Sequence, residues 1–194
     1  MKDIEKYINE TIENINLIKS DEIPNIELYM DQVTTFLTSN MGNNSENNEP
    51  AFTKTMINNY AKSKLLPAPE KKKYSKDHLL LLIIIYYLKN VMSINNIDKL
   101  LSPVTDKYFH CTEGLSMTDV YDEIREALEG IKETTLNDIT EKFKSAGASF
   151  KNAPADEKDY LQLYSFISLL SFDVYMKKQL INTLIETLDE PSKE

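Results

Sequence analysis

The side chains best suited to chemistry in this sequence are the lysines between residues 51 and 101. That segment has nine lysines against three acids, a balance of +6, whereas the whole chain has a formal net charge of −9, so the rest carries −15. Because the local field sets the attraction to phosphate, this distribution is typical of a phosphate-binding module on an acidic body. A solvated basic face without a ligand would have the same composition.

Residues 53–62 within that segment predict a helix with one polar face. Thr53 can cap it, and its inward residues are Met56, Ile57 and Tyr60. Its outward residues are short polar or basic ones: Lys54, Thr55, Asn58, Asn59 and Lys62. Asparagine can bond adenine twice and lysine can neutralise phosphate, so this face suits the major groove of DNA. The alternative is an ordinary solvent-exposed helix face.

A second basic feature follows this helix. Pro67 and Pro69 predict an extended path that leads to Lys71, Lys72, Lys73 and Tyr74. We expect the three lysines to contact the DNA backbone beside the helix. Tyr60 and Tyr74 are assigned to the same interface through their hydroxyls, while their rings are expected to pack in the core.

The sequence contains no convincing catalytic or metal-binding group. His78 and His110 are its two histidines, and Cys111 is its single cysteine. Adjacent residues such as His110 and Cys111 rarely face one substrate atom, and these three residues cannot make the usual four-ligand zinc set. With four glycines, a loop that cradles phosphate has no evident position. We therefore expect neither an enzyme nor a cofactor.

Hydrophobic spacings of three and four residues predict an all-α fold, with at most a minimal β wing. We expect helices at 2–18 and 24–39, a mobile loop at 40–50 and the basic module at 51–101, which together form a first domain, 1–101. The apolar run at 79–88 predicts a buried helix that Ser75 caps. Ser93 can cap the next helix, which Pro103 should stop.

Residues 102–194 predict a second, helical region. Ser116 can cap one long helix that ends near Gly147, and a last helix over 156–188 is apolar almost all round between Tyr160 and Met176. A homodimer through helices in 116–188 would cover this surface. The alternatives are a monomeric bundle with the first helices and a region that senses an unidentified effector.

Features of secreted and membrane proteins are missing from the sequence. The opening MKDIEKYINE is unlike a secretory leader, and the apolar run at 79–88 is about half the length that a bilayer requires. One cysteine allows no internal disulfide, which suits a reducing compartment. We expect a cytoplasmic protein.

The order of residues over about 51–101 resembles the DNA-binding region of MerR-type winged helix-turn-helix regulators. Four residues match the pattern T-I-R-Y-Y-E-x-x-G-L-L of that family's recognition helix: Ile57, Tyr60, Leu65 and Leu66. Three approximate the R-x-Y-S that ends its wing: Lys72, Tyr74 and Ser75. Asn58 stands where the family has an arginine, and Lys64 where it has a turn glycine.

Over a longer span, which includes LYMDQVTTFL at 28–37 and the carboxy-terminal helices, the chain also looks like an uncharacterised bacterial family, domain of unknown function 1836. That resemblance implies no activity. The MerR resemblance implies a homodimeric transcriptional regulator that binds double-stranded DNA through helix 53–62 and the wing. The second hypothesis is a non-enzymatic adaptor, in which the winged helix no longer binds DNA and the acidic helices recruit a protein.

Overall fold

The computed structural model describes residues 4–15, 17–41 and 50–188, and these are mostly helical with one two-stranded sheet. The predicted all-α class with a minimal β wing is therefore confirmed. The elements in chain order are α1 (Ile4–Glu13), a 3-10 helix (Ser20–Glu22), β1 (Leu28–Tyr29), α2 (Met30–Met41), α3 (Lys54–Lys62), β2 (Lys73–Tyr74), α4 (Lys76–Leu88), α5 (Ile94–Tyr108), α6 (Met117–Gly130), α7 (Lys132–Gly147) and α8 (Ala155–Thr187).

The chain divides into two compact units. Unit 1 comprises Met1–Asn16 and Glu126–Leu184, and unit 2 comprises Leu17–Arg125 and Ile185–Glu194. This division differs from the predicted boundary at residue 101, which falls inside α5. It also separates α1 from the basic module, because α1 packs against α7 within unit 1.

Helix α4 forms the centre of the hydrophobic core of unit 2. Six of its apolar side chains are fully buried: Leu79, Leu80, Leu81, Leu82, Ile83 and Ile85. A helix is apolar on every side only when other elements surround it, so the prediction of a buried helix from this run is confirmed. At its start, β2 pairs antiparallel with β1, and Tyr74 lies opposite Leu28.

Serine caps define three helix starts in unit 2. The Ser93 hydroxyl accepts a hydrogen bond from the Asn96 amide at 3.2 Å, and the Ser116 hydroxyl accepts one from the Asp119 amide at 3.2 Å. The Asp119 carboxylate in turn accepts the Ser116 amide at 2.8 Å, which completes a capping box. Ser75 is the cap of α4. The caps predicted from the sequence are confirmed.

Two predicted helix limits are wrong. Pro103 does not stop α5, which continues to Tyr108, because an apolar stripe of Ile97, Leu101 and Val104 continues past the proline and stays packed on the core. The single long helix predicted from Ser116 is instead α6 and α7, which are separated at Ile131. The break follows Gly130, a poor helix former. Leu128 and Ile131 are exposed on either side of it, so their side chains do not stabilise a continuous helix by packing.

Three other predicted segments differ from the structure or lie outside it. The helix predicted at 2–18 ends at Glu13, because Ile15 is exposed and does not extend the packed apolar face. The helix predicted at 24–39 begins only at Met30, because Leu28 and Tyr29 extend to pair with β2. The loop predicted at 40–50 falls mostly on residues 42–49, which lie outside the described residues.

Unit 1 is built from α1, α7 and most of α8. Ile4, Ile8 and Ile12 line one side of an apolar cleft of about 250 Å³, and Ile139 and Phe166 line the other. The side-chain amide of Gln162 donates to the Gly147 carbonyl at 2.7 Å and so fixes the connection between α7 and α8.

Candidate nucleic-acid interface

Helix α3 presents the polar face that the sequence predicts. The Thr53 hydroxyl caps it by accepting the Met56 amide at 3.2 Å, and Ile57 and Tyr60 are buried against the core. Five candidate residues on its outer side are exposed: Lys54, Thr55, Asn58, Asn59 and Lys62. The helix therefore offers two amides and two ammonium groups to solvent, with no acidic residue within it.

A tight turn follows α3 and returns the chain to the core. Lys64 has φ 66°, in the left-handed region that favours glycine. The Lys64 amide donates to the Ala61 carbonyl at 3.3 Å, and the Leu66 amide donates to the Tyr60 carbonyl at 3.1 Å. Leu65 and Leu66 are then buried. Lys64, which stands where the resemblance implies a turn glycine, thus has the left-handed backbone conformation that glycine favours.

The second basic feature is a tight turn rather than the extended path predicted. Residues 70–73 form it, with the Lys73 amide donating to the Glu70 carbonyl at 2.8 Å. Lys71 (φ 49°) and Lys72 (φ 66°) both have left-handed conformations, the pattern of a type I′ turn. The reason is that Lys73 and Tyr74 pair with β1, so the chain must reverse just before them. We call this element the wing, and Lys71 and Lys72 are exposed at its tip.

Two of the candidate lysines already have carboxylate partners. Lys54 forms an ion pair with Asp31 of α2, and the Lys73 ammonium lies 3.2 Å from the Glu27 carboxylate and 5.9 Å from the centre of the Tyr29 ring. Both acids precede residue 51, so a charge count over 51–101 does not include them. Exposed pairs of this kind are worth about 0–1 kcal/mol, so phosphate can compete for the lysines.

The two candidate tyrosines lie in the core. Tyr60 packs edge-on against Phe52 at 6.5 Å between ring centres, and Tyr74 packs edge-on against His78 at 5.4 Å. Burial raises the pKa of both phenols. Only 8% of Tyr60 and 2% of Tyr74 is exposed, so the expected packing of their rings is confirmed, and their assignment to the contact surface does not fit.

Lys89, at the end of α4, fixes the segment that leads into α3. Its ammonium donates to the Ala51 carbonyl at 3.2 Å and lies 5.2 Å from the Phe52 ring centre and 4.9 Å from that of Tyr86. Burial lowers the pKa of Lys89. From the sequence, Lys89 is one charge of the basic segment and the residue that closes the apolar run. Its contacts with Ala51 and Phe52 have no local signature, because those residues lie far away along the chain.

The histidines and the cysteine have structural contacts. Nδ1 of His78 accepts the Ser75 amide at 3.0 Å, and burial, followed by the neighbouring His110, lowers the pKa of His78 to about 4. The His110 amide donates to the Asp77 carboxylate at 2.8 Å, and Sγ of Cys111 donates to the Glu113 carbonyl at 3.0 Å. Within the described residues, no three histidine, cysteine or acidic side chains are grouped to hold a metal ion.

These features define a mostly helical protein whose polar helix and basic wing lie in one compact unit. The profile of the family described as a domain of unknown function, DUF1836, matches residues 18–124, and the chain belongs to that family. The matched range agrees within a residue with the Leu17–Arg125 segment of unit 2. Comparison with curated proteins and with solved structures found no match.

In the part of the chain that the structure describes, none of the helices combines the length and apolar character that crossing a bilayer requires.

Proposed function

We propose that this protein is a DNA-binding transcriptional regulator, with α3 in the major groove and the wing on the adjacent backbone. The observation that carries the proposal is the conformation of the wing tip. Lys71 and Lys72 both have left-handed backbones, where asparagine and glycine would be less strained, and both side chains are exposed. Costly conformations persist where function needs the side chains, and two adjacent cations in a tight turn suit two phosphates.

The face of α3 supports the same proposal. Asn58 and Asn59 are neighbours on the exposed side of a helix whose other side is fixed by Ile57 and Tyr60. A rigidly packed helix with exposed amides can align them with adenine edges, while Lys62 contacts phosphate. Both α3 and β2 pack against α2, which gives the two parts of the interface a common support.

Selection of duplexes from a random pool, followed by titration at several salt concentrations, tests the proposal. Each phosphate contact contributes about 0.9 to the slope of log affinity against log salt, so Lys71→Ala with Lys72→Ala should reduce that slope by up to about 2. Lys144→Ala with Lys151→Ala makes the same change in charge in unit 1 and should leave the slope unchanged. If the two variants have equal slopes, the wing does not contact the phosphates of the duplex.

Base reading needs a separate measurement. Asn58→Ala or Asn59→Ala should cost about 1–3 kcal/mol on the selected duplex and little on a scrambled one. Equal losses on both duplexes would mean that these amides contact only the backbone.

The second candidate function is a non-enzymatic protein adaptor. The ion pairs of Lys54 with Asp31 and of Lys73 with Glu27 favour it, because they reduce the positive field at the interface. An adaptor would show no enriched duplex and only weak binding that disappears with added salt.

For either function we propose a cytoplasmic homodimer. The exposed apolar surface of α8 supports the dimer, because it is large for a chain that acts alone. The single cysteine, which suits a reducing compartment, supports the location.

A further inference from the structure

Helix α8 exposes an apolar stripe that one polar residue, Ser171, interrupts. We define the stripe face by six residues: Tyr160, Leu163, Tyr164, Ile167, Val174 and Tyr175. Their exposed fractions range from 39% to 70%. Four of them recur at steps of four, three and seven residues, which keeps them on one side of the helix, as in a coiled-coil seam.

We propose that two copies of the chain pair through this stripe face with their α8 helices antiparallel, and that Ile167 lies at the twofold axis. This deepens the homodimer of the proposed function by naming the surface and its polarity. A second copy is the occupant because the face is self-complementary, as an isologous interface requires.

The area of the stripe face suits a dimer. Side chains of this kind bury roughly 100 Å² each when they are half exposed beforehand, so six of them give roughly 600 Å² per copy and about 1,200 Å² in total. That is the lower limit of stable interfaces, before any contribution from neighbouring residues.

Charges at the two ends of the stripe select the antiparallel arrangement. Asp156 and Glu157 lie at the amino end of α8, and Lys178 lies at the other end of the same stripe. With the axis at Ile167, position 156 is as far before it as position 178 is after it, so Asp156 faces Lys178 of the second copy. A parallel pair would place like charges opposite each other, which is unfavourable.

A second exposed apolar face on α8 lacks this complementarity. It contains Leu169, Phe172, Met176, Leu180 and Leu184. Within α8, this face has no acidic and basic residues placed symmetrically about its centre, Met176, in the way that Asp156 and Lys178 are placed about Ile167. This face therefore provides the matched control.

Sedimentation of the full chain without DNA tests the choice of face. Ile167 and Met176 are 54% and 59% exposed, so a glutamate at either position should leave the fold intact. We expect the unchanged chain to be a dimer, Ile167→Glu to weaken it at least about 100-fold because two carboxylates meet at the axis, and Met176→Glu to leave it unchanged. A monomeric unchanged chain, or dissociation by Met176→Glu and not by Ile167→Glu, would overturn the proposal.

Disulfide trapping tests the polarity, in a Cys111→Ser background that removes the native thiol. Tyr160→Cys and Val174→Cys should cross-link efficiently when mixed and poorly when each is alone, because position 160 faces position 174 only in the antiparallel pair. The opposite pattern would establish a parallel dimer and refute the proposed register. A chain that dimerises but binds no duplex would refute the proposed function and leave this inference standing, and a monomer that binds duplex would do the reverse.

Discussion

Relieving the strain at the wing tip should stabilise the protein and weaken DNA binding at the same time. The variant combines Lys71→Asn with Lys72→Gly, the pair of residues that a type I′ turn prefers. A left-handed conformation costs an ordinary residue about 1–2 kcal/mol, and asparagine and glycine both adopt it more readily. Glycine also makes the unfolded chain more flexible, which lowers the gain in stability by about 0.5–1 kcal/mol. The expected net gain in the free energy of unfolding is about 1–2 kcal/mol, a rise of a few degrees in Tm for a chain of this length.

The matched control is Lys71→Gln with Lys72→Gln, which removes the same charges and keeps the strained backbone. Thermal unfolding followed by circular dichroism should rank the Asn–Gly variant above both the control and the unchanged chain. Titration with the selected duplex should show the same reduced salt slope for both variants. If the Asn–Gly variant is no more stable than the control, Lys71 and Lys72 do not occupy strained left-handed conformations. If neither variant loses affinity, the wing does not contact phosphate.

Three further predictions concern buried and half-buried polar side chains of unit 2. The low pKa of His78, about 4 against an ordinary 6.5, means that the unfolded chain takes up a proton that the folded chain does not. Stability should therefore fall by about 3 kcal/mol as pH drops from 6.5 to 4, and His78→Gln should remove that part of the pH dependence in urea titrations. Lys89→Met keeps the apolar stem but loses the hydrogen bond to Ala51 and the contacts with the aromatic rings. The free energy of unfolding, measured by urea titration, should therefore fall by about 1–2 kcal/mol. Tyr121→Phe removes the buried 2.6 Å bond from the phenol to the Ile18 carbonyl and should also cost about 1–2 kcal/mol in urea titrations.

Each of these three predictions can fail separately. His110→Gln is the control for the histidine. It removes the smaller cause of the low pKa of His78 and keeps the larger one, burial, so most of the pH dependence should remain. An unchanged pH profile in His78→Gln would mean that the pH dependence arises elsewhere. Full stability in Lys89→Met or Tyr121→Phe would mean that the contact removed contributes nothing net to folding.

The sequence predicts local structure well where one stretch of chain contains the whole signal. Thr53, Ser93 and Ser116 cap helices as their positions indicate, because a cap needs only its own first turn. The uninterrupted apolar run of α4 likewise needs no distant information to be recognised as buried.

Features that depend on distant partners were missed for the same physical reason. The wing turns because β2 pairs with β1, and nothing in residues 67–74 alone indicates that pairing. The ion pairs of Lys54 and Lys73 involve acids from an earlier segment. The placement of α1 with α7 depends on a contact across most of the chain, so the predicted domain boundary had no local basis.

The candidate interface and the proposed dimer surface belong to different parts of the chain, which makes them separable by experiment. Helix α3 and the wing lie within the matched range 18–124, whereas the stripe face of α8 lies beyond it. A dimer presents two copies of the interface to one duplex, and the second then binds at a high effective concentration. Ile167→Glu should therefore weaken binding to a palindromic duplex strongly and binding to an isolated half-site little, because the lysines and amides of each copy remain unchanged. Equal loss on both duplexes would indicate damage to the fold rather than loss of pairing.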